Sequence, residues 1–242
     1  IVTSKTESGE VLADEDYRMD IDVPEGDYEI VAYGGLLCGR SSFTMKEASV
    51  KLVPGNINDL YVEMNHDNLT SRQQLHNLFH GRKEVAMDRE FVEDTVYMVK
   101  NTNNIRIILQ QVQGNPLNAS DFTFSITDDN TLMNSSNDVI PNGTVTYSPW
   151  TMGEEIIGVS EDGDTPVSVA YAEFSTGRIM AGSGSKLTVT RKDDGEVVFS
   201  IPLDKYLLLH KSELYADMPA QEYLDREDEW SMVFFLDSGL RW

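Results

Sequence analysis

Cysteine is almost absent from this chain. Cys38 stands alone, so no disulfide can form within the molecule and packing must carry its stability. It lies in the run GGLLCG with no histidine or other base close by in sequence, which reads as a small buried apolar residue rather than a nucleophile. Positive charge is also scarce. Nineteen Lys and Arg face 41 Asp and Glu, for a net charge of -22. Nucleic acid is therefore a poor partner, because a phosphate backbone needs a clustered basic face. Such an acidic surface serves solubility first and attraction of divalent cations second. No stretch approaches the ~20 apolar residues that a membrane-spanning helix needs, and no basic and apolar leader opens the chain. There is no G-x-S-x-G elbow for a serine nucleophile. The glycine-rich run Ala181 to Lys186, AGSGSK, lacks the order of a phosphate-binding loop and reads as a hairpin loop.

What the chain does contain is alternation. Its 242 residues suit one large or two ordinary domains, and 40 % of them are hydrophobic, enough to bury a core. Ten Tyr, nine Phe and three Trp favour strands, while 17 Gly and eight Pro supply many turns. Tyr17, Met19, Ile21 and Val23 alternate with Arg18, Asp20 and Asp22, and after a Pro24–Asp27 turn Tyr28 to Tyr33 reads as the return strand of a hairpin. Ala48 to Val53 and Leu60 to Met64 read as two further strands. Leu75, Leu78 and Phe79 fall at helical spacing, which predicts a short helix within 69–79. A second run of strands is expected from Phe91 to Lys100. It continues with Ile105, Ile107 and Leu109 in a central strand, then Phe122 to Thr127, Thr144 to Tyr147, Val167 to Phe174, Lys186 to Thr190 and Glu196 to Ile201. Asp193, Asp194 and Gly195 make the turn between the last two. Leu203 to Leu209 suits helix or strand. From Gln221 to Leu236 a polar turn, with Asp225, Arg226, Glu227, Asp228 and Glu229, feeds the apolar Trp230, Val233, Phe234, Phe235 and Leu236. Strands recurring roughly every 8 to 15 residues with few helices predict an all-β protein built from sandwiches, divided near Asp88–Asp94 into residues 1–91 and 92–242.

Reactive constellations are thin. His76 and His80 at i, i+4 would chelate a metal from a helix face, but HNLFH lacks the glutamate of a zinc protease, and surface or packed histidines are the plainer reading. Asp128, Asp129 and Asn130, and Asp162, Gly163 and Asp164, suggest calcium loops, yet neither continues as an EF-hand and turn chemistry accounts for both. The carboxylates of Asp225, Glu227, Asp228 and Glu229 belong to a structural turn rather than an acid–base pair. Sequons at Asn68, Asn118, Asn134 and Asn142 mark surface loops. Tyr33, Tyr147, Trp150, Tyr171 and Tyr215 are candidates for a sugar platform, though core packing explains most of them. No catalytic, cofactor-binding or metal-binding residue is expected, and the sequence leaves the binding residues open.

Four blocks, in order, carry a family resemblance: VPEGDYEIVAYGGL (Val23–Leu36), YMVKNTNNIRIILQ (Tyr97–Gln110), SIPLDKYLLL (Ser200–Leu209) and QEYLDREDEWSMVFFL (Gln221–Leu236). Together they resemble the FimB-type fimbrial anchor and tip subunits of Bacteroides-group bacteria. That resemblance implies two tandem transthyretin-like β-sandwich domains with Greek-key-type connections, and no enzymatic activity. It implies a cell-surface pilus subunit, most like the outer-membrane anchor that attaches and limits the pilus. Such a subunit joins other fimbrial subunits by β-strand addition and is held in the outer membrane as a lipoprotein, through a lipidated cysteine upstream. The competing expectation is a carbohydrate- or peptide-binding surface lipoprotein, an adhesin. The opening Ile1 suggests a processed product, and a hairpin partner for Phe234–Leu236 is expected beyond Trp242 as a missing last strand.

Overall fold

The computed structural model describes residues 1–36, 41–47, 55–111, 117–159, 166–226 and 229–236. Sixteen strands lie among them: β1 (Gly26–Gly34), β2 (Phe43–Glu47), β3 (Leu60–Met64), β4 (Thr70–Ser71), β5 (Phe79–Met87), β6 (Val99–Lys100), β7 (Thr102–Gln111), β8 (Phe122–Asp128), β9 (Leu132–Asn134), β10 (Val139–Ile140), β11 (Val145–Tyr147), β12 (Thr151–Val159), β13 (Pro166–Gly177), β14 (Lys186–Arg191), β15 (Val197–Pro202) and β16 (Glu229–Leu236). Two short helices, α1 (Leu203–Leu209) and α2 (Ala220–Arg226), separate β15 from β16.

The strands form four sheets ordered β1-β5-β6, β10-β9-β3-β2, β15-β14-β8-β11-β4 and β12-β13-β7-β16, none of which closes on itself among the described residues. The last two pack face to face. Their alternating apolar residues make one core: Phe122, Phe124, Ile126, Leu187 and Val189 from one side, and Ile105, Ile107, Leu109, Phe174, Met232 and Phe234 from the other. Phe199 of β15 stacks on Phe234 of β16 at 4.4 Å between ring centroids, which joins the two sheets directly. The chain crosses between them at β7–β8, β11–β12, β13–β14 and β15–β16, so neighbours in a sheet are seldom neighbours in sequence. The AGSGSK segment lies on one such crossing, between β13 and β14, rather than in a hairpin. Ladders also join residues on either side of 91, since β3 pairs with β9 and β4 lies parallel to β11.

The central strand is where alternation placed it. β7 lies between β13 and β16, with Ile105, Ile107 and Leu109 at most 1 % exposed. The Asp193–Gly195 turn joins β14 to its antiparallel partner β15 as expected. The 203–209 segment is helix. Pro202 fixes its entry, Asp204 lies in its first turn, and Leu203 and Leu207 are fully buried. Asp225 and Arg226 of the polar stretch end α2 and Glu229 opens β16, which alternates strictly between exposed and buried residues and so is half-buried rather than buried through.

Three further expectations fail. Residues 17–23 form no strand, and β1 pairs with β5 over nine residues instead of with them. Met19 and Ile21 remain 43 % and 40 % exposed, so their alternation has no face to bury. The segment 69–79 is not helical. Asn68 and Leu69 take positive φ, β4 follows, and Leu75 and Leu78 reach the core from an irregular path. A helix that short is marginal unless packing selects it, and here packing selects the other conformation. Between Phe91 and Lys100 only Val99–Lys100 is strand, and Phe91 and Tyr97 are exposed. The expected strand at Ala48–Val53, Cys38, the Asp162–Asp164 turn, Glu227, Asp228 and the run beyond Leu236 lie outside the described residues.

Candidate functional site

The histidine pair does not form a chelate. His76 lies in irregular chain with Nδ1 3.1 Å from Ser42 Oγ, whereas His80 is buried in β5 with Nε2 2.9 Å from the Ser135 carbonyl. Residues four apart along extended chain are more than 10 Å apart. Burial pushes the His80 pKa down, and Arg178 and Arg82 push it further, against a smaller opposing effect from the Ser135 carbonyl.

The acidic loop at Asp128 is occupied by its own backbone and neighbours. Asp128 Oδ1 accepts from the Asp129 N–H, Asp129 Oδ1 from the Asn142 N–H, and Asn130 Oδ1 from the Tyr147 hydroxyl at 2.6 Å. Burial pushes the Asp128 carboxyl up to about 6, with nearby Asp204 adding to the rise and hydrogen bonds from Asp129 and Ser183 opposing it. Among the described residues no group of three or more His, Cys, Asp and Glu side chains is placed to hold a metal ion. Asp225 is engaged structurally. Its carboxylate accepts two bonds from Arg178, from Nε at 2.8 Å and Nη2 at 2.6 Å, tying α2 to the end of β13.

The five aromatic candidates do not form one platform. Tyr147 is fully buried, donating to Asn130 and accepting from the Gly177 N–H at 3.2 Å. Tyr33 packs edge-on against His80, and Tyr215 packs against Tyr223 beneath the Arg226 guanidinium. Tyr171 meets Arg106 on the outward face of the β12-β13-β7-β16 sheet, and Trp150 lines the same cleft as Arg106. The register places Thr151, Glu173, Arg106 and Ser231 across that face in one row, with Tyr171, Ile108 and Val233 in the next. Arg106 holds Glu155 at 2.5 Å and Glu173 at 3.3 Å, and its guanidinium carbon lies 4.5 Å from the centre of the Tyr171 ring.

Beside Arg106 a cleft of about 410 Å³ opens, lined by Trp150, Asn104, Arg106, Glu173, Glu229 and Gln74 and floored by the backbone of β7, β13 and β16. Trp150 is anchored through its N–H to the Glu173 carbonyl at 2.9 Å yet stays 37 % exposed. Asn104 donates to Glu229 Oε1 at 2.8 Å across the β7–β16 ladder. Arg106 Nε and the Ser175 hydroxyl, which belongs to the residue opposite Asn104, are buried with no partner among the described residues. A larger hollow of about 540 Å³ lies along the β1–β5 ribbon, but Asp27, Glu29 and Glu84 there share one sign of charge and no polar groups of mixed character converge. Of the cleft residues, sequence reading singled out only Trp150 as a binding candidate. The available signal was Arg106, a charge in the middle of the apolar strand IRIILQ.

These elements define a multi-sheet β-sandwich protein with a polar and aromatic cleft on one sheet face. Residues 1–242 match the model of the fimbrillin-A associated anchor proteins Mfa1 and Mfa2, and the chain belongs to that family. A solved structure of a candidate adhesin from Bacteroides thetaiotaomicron VPI-5482 is 48 % identical, with a TM-score of 0.88 over 97 % of this chain and 78 % of that one. A second structure from the same organism, described among candidate polysaccharide-binding proteins, is 25 % identical with a TM-score of 0.79 over 96 % and 78 %. The fimbrial anchor protein Mfa2 of Porphyromonas gingivalis, 14 % identical, shares the fold with a TM-score of 0.59 over 88 % and 69 %. No curated protein matches the chain in sequence.

Proposed function

We propose that this fimbrial-family chain is a non-catalytic anchor subunit that attaches and limits a pilus at the outer membrane. A lipidated cysteine outside Ile1–Trp242 holds it there, and neighbouring subunits join it by β-strand addition. The edge strand β16 carries the reading. It pairs with β7 over eight residues without a register shift, and among the described residues no strand pairs with its other side. An open, regular edge offers main-chain donors and acceptors to an incoming strand. Val233 and Phe235, 43 % and 55 % exposed, give that strand apolar side chains to register against. The opposite edge, β12, is blunted by a bulge near Ile156–Gly158 and by Glu154 and Glu155. The division into domains 1–91 and 92–242 belongs to the same proposal, with the β3–β9 and β4–β11 ladders as a rigid junction.

The test is recovery of the full-length tagged protein from its own cells after shear and detergent washing. Fimbrial subunits in stoichiometric amounts, lipid on the mature N-terminus, and loss of those subunits in a Val233→Lys, Phe235→Lys variant are the expected results. A protein recovered alone, or a variant that assembles like the wild type, refutes the proposal. The adhesin reading is favoured by a separate observation, the Trp150 cleft, together with the likeness to the structure described among polysaccharide-binding proteins.

A further inference from the structure

We infer that the Trp150 cleft is a binding site for a neutral glycan, with a pyranose ring stacked on the Trp150 indole and its hydroxyls held by Glu229, Asn104 and Glu173. The inference rests on the adhesin reading and gives it a location and a ligand class; the anchoring role does not depend on it.

Four observations converge. The first is the exposed indole. A tryptophan held by its backbone on the Glu173 carbonyl, with over a third of its surface in water, offers a fixed apolar face at low entropic cost. Trp230, at the same cleft, is by contrast turned into the core, with Nε1 donating to Asn103 at 3.1 Å. The second is the type of polar group at the rim. A sugar presents adjacent hydroxyls that both donate and accept, and carboxylates and amides side by side match that pattern. Glu229 and Asn104 are already tied to each other at 2.8 Å, which fixes the remaining donor and acceptor positions before a ligand arrives.

The third is a fixed base. Glu173, Asn104 and Glu229 lie on the adjacent strands β13, β7 and β16, and Trp150 directly precedes β12. The fourth is charge. Arg106 is shared between Glu155 and Glu173, so it is committed to carboxylates and does not attract an anion. Glu229 adds a further negative charge, and the whole chain carries -22. Uronic or sulfated polysaccharides are repelled. A basic peptide would need carboxylates without a competing cation, and Arg106 occupies that position. A neutral glycan remains.

The test uses the folded chain on a printed array of neutral glucans, mannans, galactans and N-acetylhexosamine oligomers, with polygalacturonate and a lysine-rich hexapeptide as competing ligands. The strongest neutral hit is then titrated in solution by calorimetry. We expect selective binding to one neutral class, weakened about tenfold or more by Trp150→Ala and by Glu229→Gln, and unchanged by Val197→Ser, an exposed residue of β15 in the other sheet. If Trp150→Ala fails to fold, Glu229→Gln and sugar-dependent change in the wild-type tryptophan fluorescence decide. Absence of neutral-glycan binding by folded wild type, binding that survives both substitutions, or preference for the peptide or the polyanion overturns the inference. Fimbrial partners that co-purify with Trp150→Ala as with wild type leave the anchor proposal standing in either case. Their loss from the wild type would refute the anchor proposal without touching this one.

Discussion

Replacing Asp128 by Asn should stabilise this protein at neutral pH and lose that benefit in acid. Asp128 ends β8 at 5 % exposure, and burial is the main reason its carboxyl is pushed from 3.8 up to about 6. The sign follows from proton binding. Between those two values the native state holds a proton that the unfolded chain releases, so raising the pH through that window favours unfolding. At about 1.4 kcal/mol per pH unit, the charged form costs the fold about 3 kcal/mol once the pH is well above 6. Asn is nearly isosteric, keeps an acceptor for the Asp129 N–H, and can donate to Ser183 Oγ, which now lies 3.4 Å from Oδ2. It removes the charge without opening a cavity. Urea unfolding at a series of pH values from 4 to 8 provides the assay. The variant should gain up to about 3 kcal/mol at pH 7.5, equivalent to about 6–12 °C in Tm for a chain of this size. The difference should shrink progressively as the pH falls through 6 and vanish near 4. A variant equal to or weaker than wild type at pH 7.5, or two pH profiles running parallel, would refute the assignment of buried charge to Asp128.

Other consequences follow from the same physics. Asp225→Ala leaves the Arg178 guanidinium, 11 % exposed, without its bidentate partner, and should cost about 3 kcal/mol in urea unfolding. A loss under about 1 kcal/mol would show that the pair acts as a surface ion pair instead. Gly35 takes φ +89°, and a Cβ there would meet the Asn77 carbonyl oxygen at 1.9 Å. Gly35→Ala should therefore lower stability by at least about 2 kcal/mol, read as a fall in thermal midpoint, and an unchanged midpoint would contradict the close approach.

The sandwich strands were the most legible part of the chain, and particular residues show why. Phe122, Phe124 and Ile126, and Leu187 and Val189, alternate with polar neighbours because one side of their sheet faces the core and the other does not. The change from Asp225–Glu229 to Trp230–Leu236 marked the passage from α2 to β16 for the same reason. Alternation misled at 17–23, where Met19 and Ile21 satisfy the pattern but meet no partner. Helical spacing misled at Leu75, Leu78 and Phe79, since the core draws in Leu75 and Leu78 from irregular chain while Phe79 opens β5 half-buried. The cleft was nearly invisible because Gln74, Asn104, Arg106, Trp150, Glu173 and Glu229 are scattered over more than half of the sequence, and no binding motif joins them.

The sequence by itself determined the all-β character, the acidity, the lack of any motif for catalysis or metal binding, and the four blocks that place the chain among fimbrial subunits. These are local properties, written in composition, period-two patterning and turn residues. Tertiary structure alone decided which strands pair: β1 with β5, β3 with β9, and β16 parallel to β7. A period of two records which face is buried but not which neighbour completes the backbone hydrogen bonds. Only long-range packing makes that choice, and the same choice brings Trp150 and Arg106 into one cleft and, among the described residues, pairs β16 on one side only.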